Sequence, residues 1–129
     1  MPTNTFFRLR DEKQEAILRA AIRRFTRHGF AQAKIADIAA DAGVAKGSMY
    51  QYFEDKRELF VYCAQWGLLR FVDKLDQRAH IGEMDVFEYF AENIAKTETI
   101  EEERELVVFL QVIGREPELA DISLRAMYA

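Results

Sequence analysis

The chain has 129 residues, of which 50 % are apolar and 31 % are charged, so it is long enough for a packed core and too short for a large multidomain enzyme. A single cysteine excludes an internal disulfide framework and fits a cytoplasmic protein. No run of about 18 apolar residues occurs, so no membrane span is predicted. The formal net charge of −4 divides unevenly, because residues 1–60 carry 11 Lys/Arg against 8 Asp/Glu and residues 61–129 carry 7 against 14.

The N-terminal half has the apolar periodicity of three helices. Apolar residues at steps of three and four, from Ile17 to Phe25, predict the first helix, with Gly29 as its left-handed C-cap. Two short helices follow, separated by a turn at Gly43. The predicted bounds in chain order are Asp11–His28, Ile35–Ala42 and a third helix that begins after Val44 and includes Met49, Tyr52 and Phe53.

The C-terminal half also has helical spacing. A long amphipathic helix is predicted from Lys56 to about His80, and further helical segments over 84–97, 100–113 and 117–129. Few glycines and prolines argue against many short strands. We therefore predict an all-α protein in which a three-helix head, residues 1–55, continues through the fourth helix into an incomplete helical bundle, residues 56–129.

Residues 35–52 meet the steric demands of a helix-turn-helix motif. Ala39 is small where the two short helices would touch, and Gly43 supplies the positive φ that the turn needs. The positions predicted to be buried are Ile38, Ala42, Val44, Met49 and Tyr52. Two packed short helices without a DNA-binding role would satisfy part of this pattern.

The exposed positions of the third helix suit a DNA groove. They offer a cation, a glycine that permits close approach and polar side chains, with Gln51 and Ser48 as candidate base readers. Further cations flank this helix. The set is Lys46, Gly47, Ser48, Tyr50 and Gln51 on the helix, with Lys34, Lys56 and Arg57 beside it.

The motifs together closely resemble the DNA-binding domain of the TetR/AcrR family of bacterial transcriptional regulators over residues ~10–62. The matching runs are Gly29-Phe30, Ile35-Ala36-Asp37-Ile38-Ala39, Ala42 through Phe53, and Asp55-Lys56-Arg57-Glu58-Leu59. The resemblance implies that Lys46, Gly47, Tyr50, Tyr52 and Lys56 contact DNA. Lys34 and Ala45 are also predicted DNA contacts, but both depart from the family, which commonly has a hydroxyl residue near these helix starts.

The resemblance also implies the partners. These are a palindromic double-stranded operator, a small-molecule effector and, for a full-length protein, a second copy of the chain; no cofactor is expected. Family members usually have about two hundred residues. The apolar helical pattern still running at Ala129 is therefore interpreted as that of a truncated or naturally shortened chain, which should bind half-sites weakly.

Aromatic residues of the C-terminal half could line an effector pocket, although helix-bundle core is the simpler interpretation. The candidates are Trp66, Phe71, Phe87, Phe90 and Phe109. Cys63 is predicted to be a packed core residue. No catalytic or metal-ligand spacing links His28, His80 or Ser48 to a partner, so no enzyme is predicted. The alternative function is a helical protein-interaction module that has lost DNA recognition. The alternative explanation of the charge asymmetry is that both halves simply have solvated charged surfaces.

Overall fold

A computed structural model of the chain describes residues 1–76 and 104–115, with side chains for all of them except 71–76. The regular structure in these two ranges is entirely α-helical, which confirms the predicted fold class. Its helices are α1 Asn4–Phe7, α2 Asp11–Gln32, α3 Ile35–Ala42, α4 Lys46–Tyr52, α5 Lys56–Asp76 and α6 Arg104–Arg115. The chain divides into two compact units, Met1–Cys63 and Ala64–Ala129.

Helix α2 is interrupted at Gly29, immediately after its predicted end at His28. Gly29 has the predicted positive φ, 78°, but a ψ of 165°, so it lies outside the left-handed helical region. The chain resumes one further helical turn to Gln32, closed by the Ala33 N–H, which donates to the Gly29 carbonyl at 3.1 Å. Gly29 is therefore a break within the helix rather than its C-cap.

Helix α1 is absent from the prediction. Its four residues are too few to show an apolar period, yet Phe6 is fully buried. Its ring packs against Phe53 at 5.1 Å and edge-on against Tyr62 at 5.9 Å between centroids. Because so short a helix is unstable alone, these contacts hold it in place.

The core of the first unit is apolar and rich in aromatic rings. Phe25 is buried and meets Phe60 edge-on at 5.1 Å between centroids, and it stacks on Phe30 at 6.0 Å. Cys63 is fully buried, with its Sγ 3.8 Å from the Leu18 carbonyl oxygen. Burial raises the pKa of the Cys63 thiol, since the thiolate would lose its hydration. The prediction of a core cysteine is confirmed.

Two polar links join α2 to α3. Arg24 donates to both carboxylate oxygens of Asp41, at 2.6 and 3.0 Å. The Lys13 ammonium donates to the Ala42 carbonyl at 2.9 Å, at the C-terminal end of α3, where a cation interacts favourably with the helix dipole. Both links hold α3 on the longer helix.

In the second unit, α6 buries one apolar face, made of Leu106, Val107, Phe109, Leu110 and Ile113. Helix α6 overlaps the predicted segment 100–113. The segments predicted at 84–97 and 117–129, and the predicted end of the fourth helix near His80, lie outside the described residues. Among the described helices, none combines the length and apolar character needed to cross a bilayer.

Candidate nucleic-acid interface

The turn between α3 and α4 is built around Gly43. Its φ of 72° and ψ of 31° place it in the left-handed region, as predicted, where a Cβ is unfavourable. Two hydrogen bonds close the turn, from the Gly43 N–H to the Ala40 carbonyl at 3.2 Å and from the Val44 N–H to the Ala39 carbonyl at 2.9 Å. The chain therefore leaves α3 sharply and begins α4 three residues later.

The buried side of the helix-turn-helix unit, residues 35–52, packs as predicted with one exception. Ile38, Ala42, Met49 and Tyr52 are buried. Val44 is only half-buried, because it lies in the turn itself rather than on a helix face. Short helices on either side of a glycine turn, packed on a longer supporting helix, define the class of helix-turn-helix proteins.

The outer face of α4 carries the candidate DNA contacts. Lys46, Gly47 and Gln51 are exposed, and Tyr50 is 52 % exposed. At 3.6 residues per turn these four positions fall on one side of the helix, away from Met49. A Cβ placed on Gly47 would meet nothing within 4 Å. This surface is therefore open to a large partner, and Gly47 adds no side chain to it.

The start of α4 has no side-chain cap. Ala45 occupies the N-cap, exposed and with extended backbone, and the Ser48 N–H donates to its carbonyl at 3.0 Å. Lys34 occupies the N-cap of α3 and likewise makes no side-chain cap bond. Its exposed ammonium is available for phosphate, as expected where a lysine replaces a hydroxyl residue.

Lys56 is partly engaged within the protein. Its ammonium donates to the carbonyls of Ala31 and Ala33, both at 3.2 Å, and lies 4.7 Å from the centroid of the Phe30 ring. An ammonium has three donor hydrogens. Lys56 thus anchors the end of α2 against the start of α5, whatever further contact it makes with DNA.

Tyr52 is the least accessible of the residues expected to contact DNA. It is 8 % exposed, and its ring meets Phe6 at 6.0 Å between centroids.

The structure brings Lys46, Gly47, Ser48, Tyr50 and Gln51 together on α4. Direct contact between DNA and any of the predicted residues remains a prediction.

Thr3 and Phe6 support this surface and were missed by sequence reasoning. Thr3 hydrogen-bonds the last turn of α4, and Phe6 packs beside Tyr52. The sequence feature that could have indicated this short helix is Thr3, a residue type suited to a helix N-cap, followed by the Phe6-Phe7 pair.

The predicted effector residues are only partly described. Phe109 is fully buried on α6, and Trp66 is half-buried on α5 with the Arg70 guanidinium 5.3 Å from its ring. Phe71 lies on α5, but its side chain is outside the described part, as are Phe87 and Phe90 altogether. In the described ranges, His, Cys, Asp and Glu side chains form no group of three that could hold a metal ion.

Known proteins are similar in sequence to parts of this chain. Residues 17–63 match the profile of bacterial regulatory proteins of the tetR family. The uncharacterized HTH-type transcriptional regulator YvdT of Bacillus subtilis is 34 % identical over 102 residues, 79 % of this chain and 52 % of that protein. The HTH-type transcriptional repressor BepR of Brucella suis is 45 % identical over 49 residues, 38 % of this chain and 23 % of that protein.

A solved structure gives the same result. The crystal structure of a TetR family transcriptional regulator from Chloroflexus aurantiacus is 31 % identical and superposes with a TM-score of 0.58, covering 99 % of this chain and 54 % of that one. The predicted resemblance to the TetR family of bacterial regulatory proteins is therefore confirmed, with the family profile matching residues 17–63. It spans about half the length of the YvdT and Chloroflexus proteins.

Proposed function

We propose that this chain is a sequence-specific DNA-binding transcriptional regulator and not an enzyme. One observation carries the proposal: the exposed side of α4 presents Lys46, Gly47, Tyr50 and Gln51 together, while its other side is locked into a helix-turn-helix core. Cations and amide or hydroxyl groups are the side chains that recognise phosphates and base edges.

The residues divide into two roles. Lys46 and Lys34 neutralise phosphates and supply affinity for any duplex, and the Tyr50 hydroxyl donates to a phosphate oxygen. The Gln51 amide can donate an N–H to adenine N7 and accept from the adenine N6 amino group through its carbonyl oxygen, in the major groove. Ser48, half-buried beside it, is the second candidate base reader.

A binding-site selection from random duplexes tests the function directly. The 129-residue chain should enrich one sequence, and Gln51→Ala should then lose about 1–3 kcal/mol on that sequence with little change on random DNA. Gln32→Ala, at the exposed end of α2, is the matched control and should behave like the wild type. Failure to enrich any sequence, together with no salt-dependent retention on heparin, would favour a protein-interaction module instead.

We further propose repression as the mode of action and a palindromic operator read by a homodimer. Repression is supported by the similarity of 49 residues of this chain to the repressor BepR. A helix-turn-helix head reads one half-site, so a two-fold pair of heads fits a palindrome. An operator placed upstream of a reporter gene should lower expression when the protein is supplied, and activation would contradict the proposed sign.

Responsiveness to an apolar effector is proposed for the unit Ala64–Ala129. It is supported by the aromatic content of this unit and by the half-buried position of Trp66 beside Arg70. An apolar molecule that contacts this indole should quench its fluorescence and raise the melting temperature by mass action. A screen of planar cationic and fatty compounds that gives neither response would remove the proposal.

A further inference from the structure

Thr3 joins the N-terminal segment to the last turn of α4 through two hydrogen bonds. Its backbone N–H donates to the Tyr52 carbonyl at 3.0 Å, and its hydroxyl donates to the Gln51 carbonyl at 2.7 Å. The last carbonyl groups of a helix have no partner within that helix. Thr3 therefore satisfies two acceptors at the end of α4, one of them on the proposed base reader.

The Thr3 hydroxyl bonds to the Gln51 carbonyl instead of capping the first turn of α1. Thr3 is the N-cap of α1, where a threonine side chain usually accepts a bond from the first helical turn. Here it makes no cap bond, and the N–H groups of Phe6 and Phe7 instead reach the Thr3 backbone carbonyl, at 3.1 and 3.3 Å. The hydroxyl thus serves α4 rather than α1.

Phe6 makes a second, apolar link to the same place. Its fully buried ring contacts Tyr52, the last residue of α4, and Phe53 immediately after it. It also meets Tyr62 of α5 edge-on at 5.9 Å between centroids. One side chain of α1 therefore connects the C-terminal end of α4 with α5.

We propose that Thr3 and Phe6 are positioning residues, which set the orientation of α4 and so the placement of the Gln51 side chain against base edges. This inference rests on the proposed function. A seven-residue helix does not hold its own orientation, and a paired hydrogen bond to a base tolerates only small displacements. A long lysine reaching a phosphate tolerates more, so loss of the link affects sequence discrimination more than general affinity.

Thr3→Val tests the hydroxyl with almost no change in shape. The ratio of Kd on random duplex to Kd on the selected sequence should fall about 3–10-fold, the effect of one hydrogen bond, while the salt slope stays unchanged. Thr3→Ser keeps the hydroxyl and should retain the wild-type ratio. Thr5→Val, the same substitution at an exposed threonine of α1, is the matched control.

A measurement without DNA gives an independent readout. The Phe53 N–H donates to the Met49 carbonyl at 2.9 Å at the end of α4. Its hydrogen exchange should be faster in Thr3→Val than in the wild type or Thr5→Val, because the last turn of α4 then opens more often.

The outcomes separate the two proposals. Unchanged Phe53 exchange, or an equal loss of affinity on both duplexes, would overturn the positioning role while leaving sequence-specific binding intact. A wild-type chain without any sequence preference would overturn the proposed function, and the positioning role with it.

Discussion

At the scale of single residues, two glycines of the helix-turn-helix unit are required for different reasons. Gly43 is needed for its backbone, because its φ of 72° is unfavourable for any residue with a Cβ. Gly47 has an ordinary helical backbone and open space around it. Its lack of a side chain therefore has no use within the folded chain, which points to close approach by a partner.

The two alanine substitutions should have opposite effects on stability. Gly43→Ala should lower the free energy of unfolding by about 1–2 kcal/mol, whereas Gly47→Ala should raise it by up to about 0.5–1 kcal/mol because alanine favours the helix. Denaturant unfolding of both variants measures this. The Gly47→Ala protein should nevertheless bind its selected DNA more weakly, by about 1–3 kcal/mol, as expected for an extra carbon in a packed contact. Undiminished binding would show that no partner backbone or phosphate approaches Gly47.

Lys46 and Lys56 are both cations near α4, yet they should respond differently to replacement. Lys46→Gln should lower the slope of log Kd against log salt by roughly 0.9, because one fewer phosphate is neutralised and its counterion is no longer released. The melting temperature should not change. Lys56→Gln should also lower the melting temperature, since its ammonium holds the carbonyls of Ala31 and Ala33. Lys46→Arg retains the charge and serves as the control for slope. A salt slope unaffected in Lys46→Gln would exclude a phosphate contact there.

At the scale of helices, the elements predicted correctly are those whose determinants are close together in sequence. Gly43, the small Ala39 and the apolar positions of α3 and α4 act on one another within about twenty residues, so their pattern alone indicates the motif. Helix α1 depends on Phe6 meeting residues near Phe53, which sequence periodicity cannot reveal. The bonds from Lys56 to Ala31 and Ala33 also join residues far apart in sequence, so only the structure shows that this predicted DNA contact has a second role within the protein.

The link between α2 and α3 should depend on pH. The Arg24 guanidinium, by hydrogen bond and charge, lowers the pKa of Asp41 below its ordinary value. A carboxyl group whose pKa is lowered by folding stabilises the protein above its unfolded pKa, about 3.9, and loses that contribution as pH falls through the folded value. Asp41→Asn should therefore melt at a lower temperature than the wild type at neutral pH, and the difference should vanish in acid. A difference independent of pH down to acid unfolding would contradict the role of the ionised pair.

At the scale of the whole molecule, charge is segregated along the chain. The first 60 residues carry an excess of Lys/Arg and the remainder an excess of Asp/Glu. A net charge of −4 would repel a duplex if it were evenly spread. Association with DNA should therefore proceed through the unit Met1–Cys63, where the helix-turn-helix and the flanking cations lie.

The proposed two-fold recognition makes a prediction about stoichiometry. Each head contributes one α4, and half-sites one helical turn apart, roughly 34–36 Å, place two such helices on the same side of a duplex. Two copies of the chain should therefore assemble on a duplex carrying the selected palindrome and one copy on a duplex carrying a single half-site, as measured by sedimentation velocity with labelled DNA. If the two copies contact each other, binding of the first raises the effective concentration of the second. The palindrome should then be occupied at a lower protein concentration than a duplex whose two half-sites are half a turn further apart. Equal occupancy of the two spacings would show that the heads bind independently, and a single copy on the palindrome would contradict two-fold recognition by this chain.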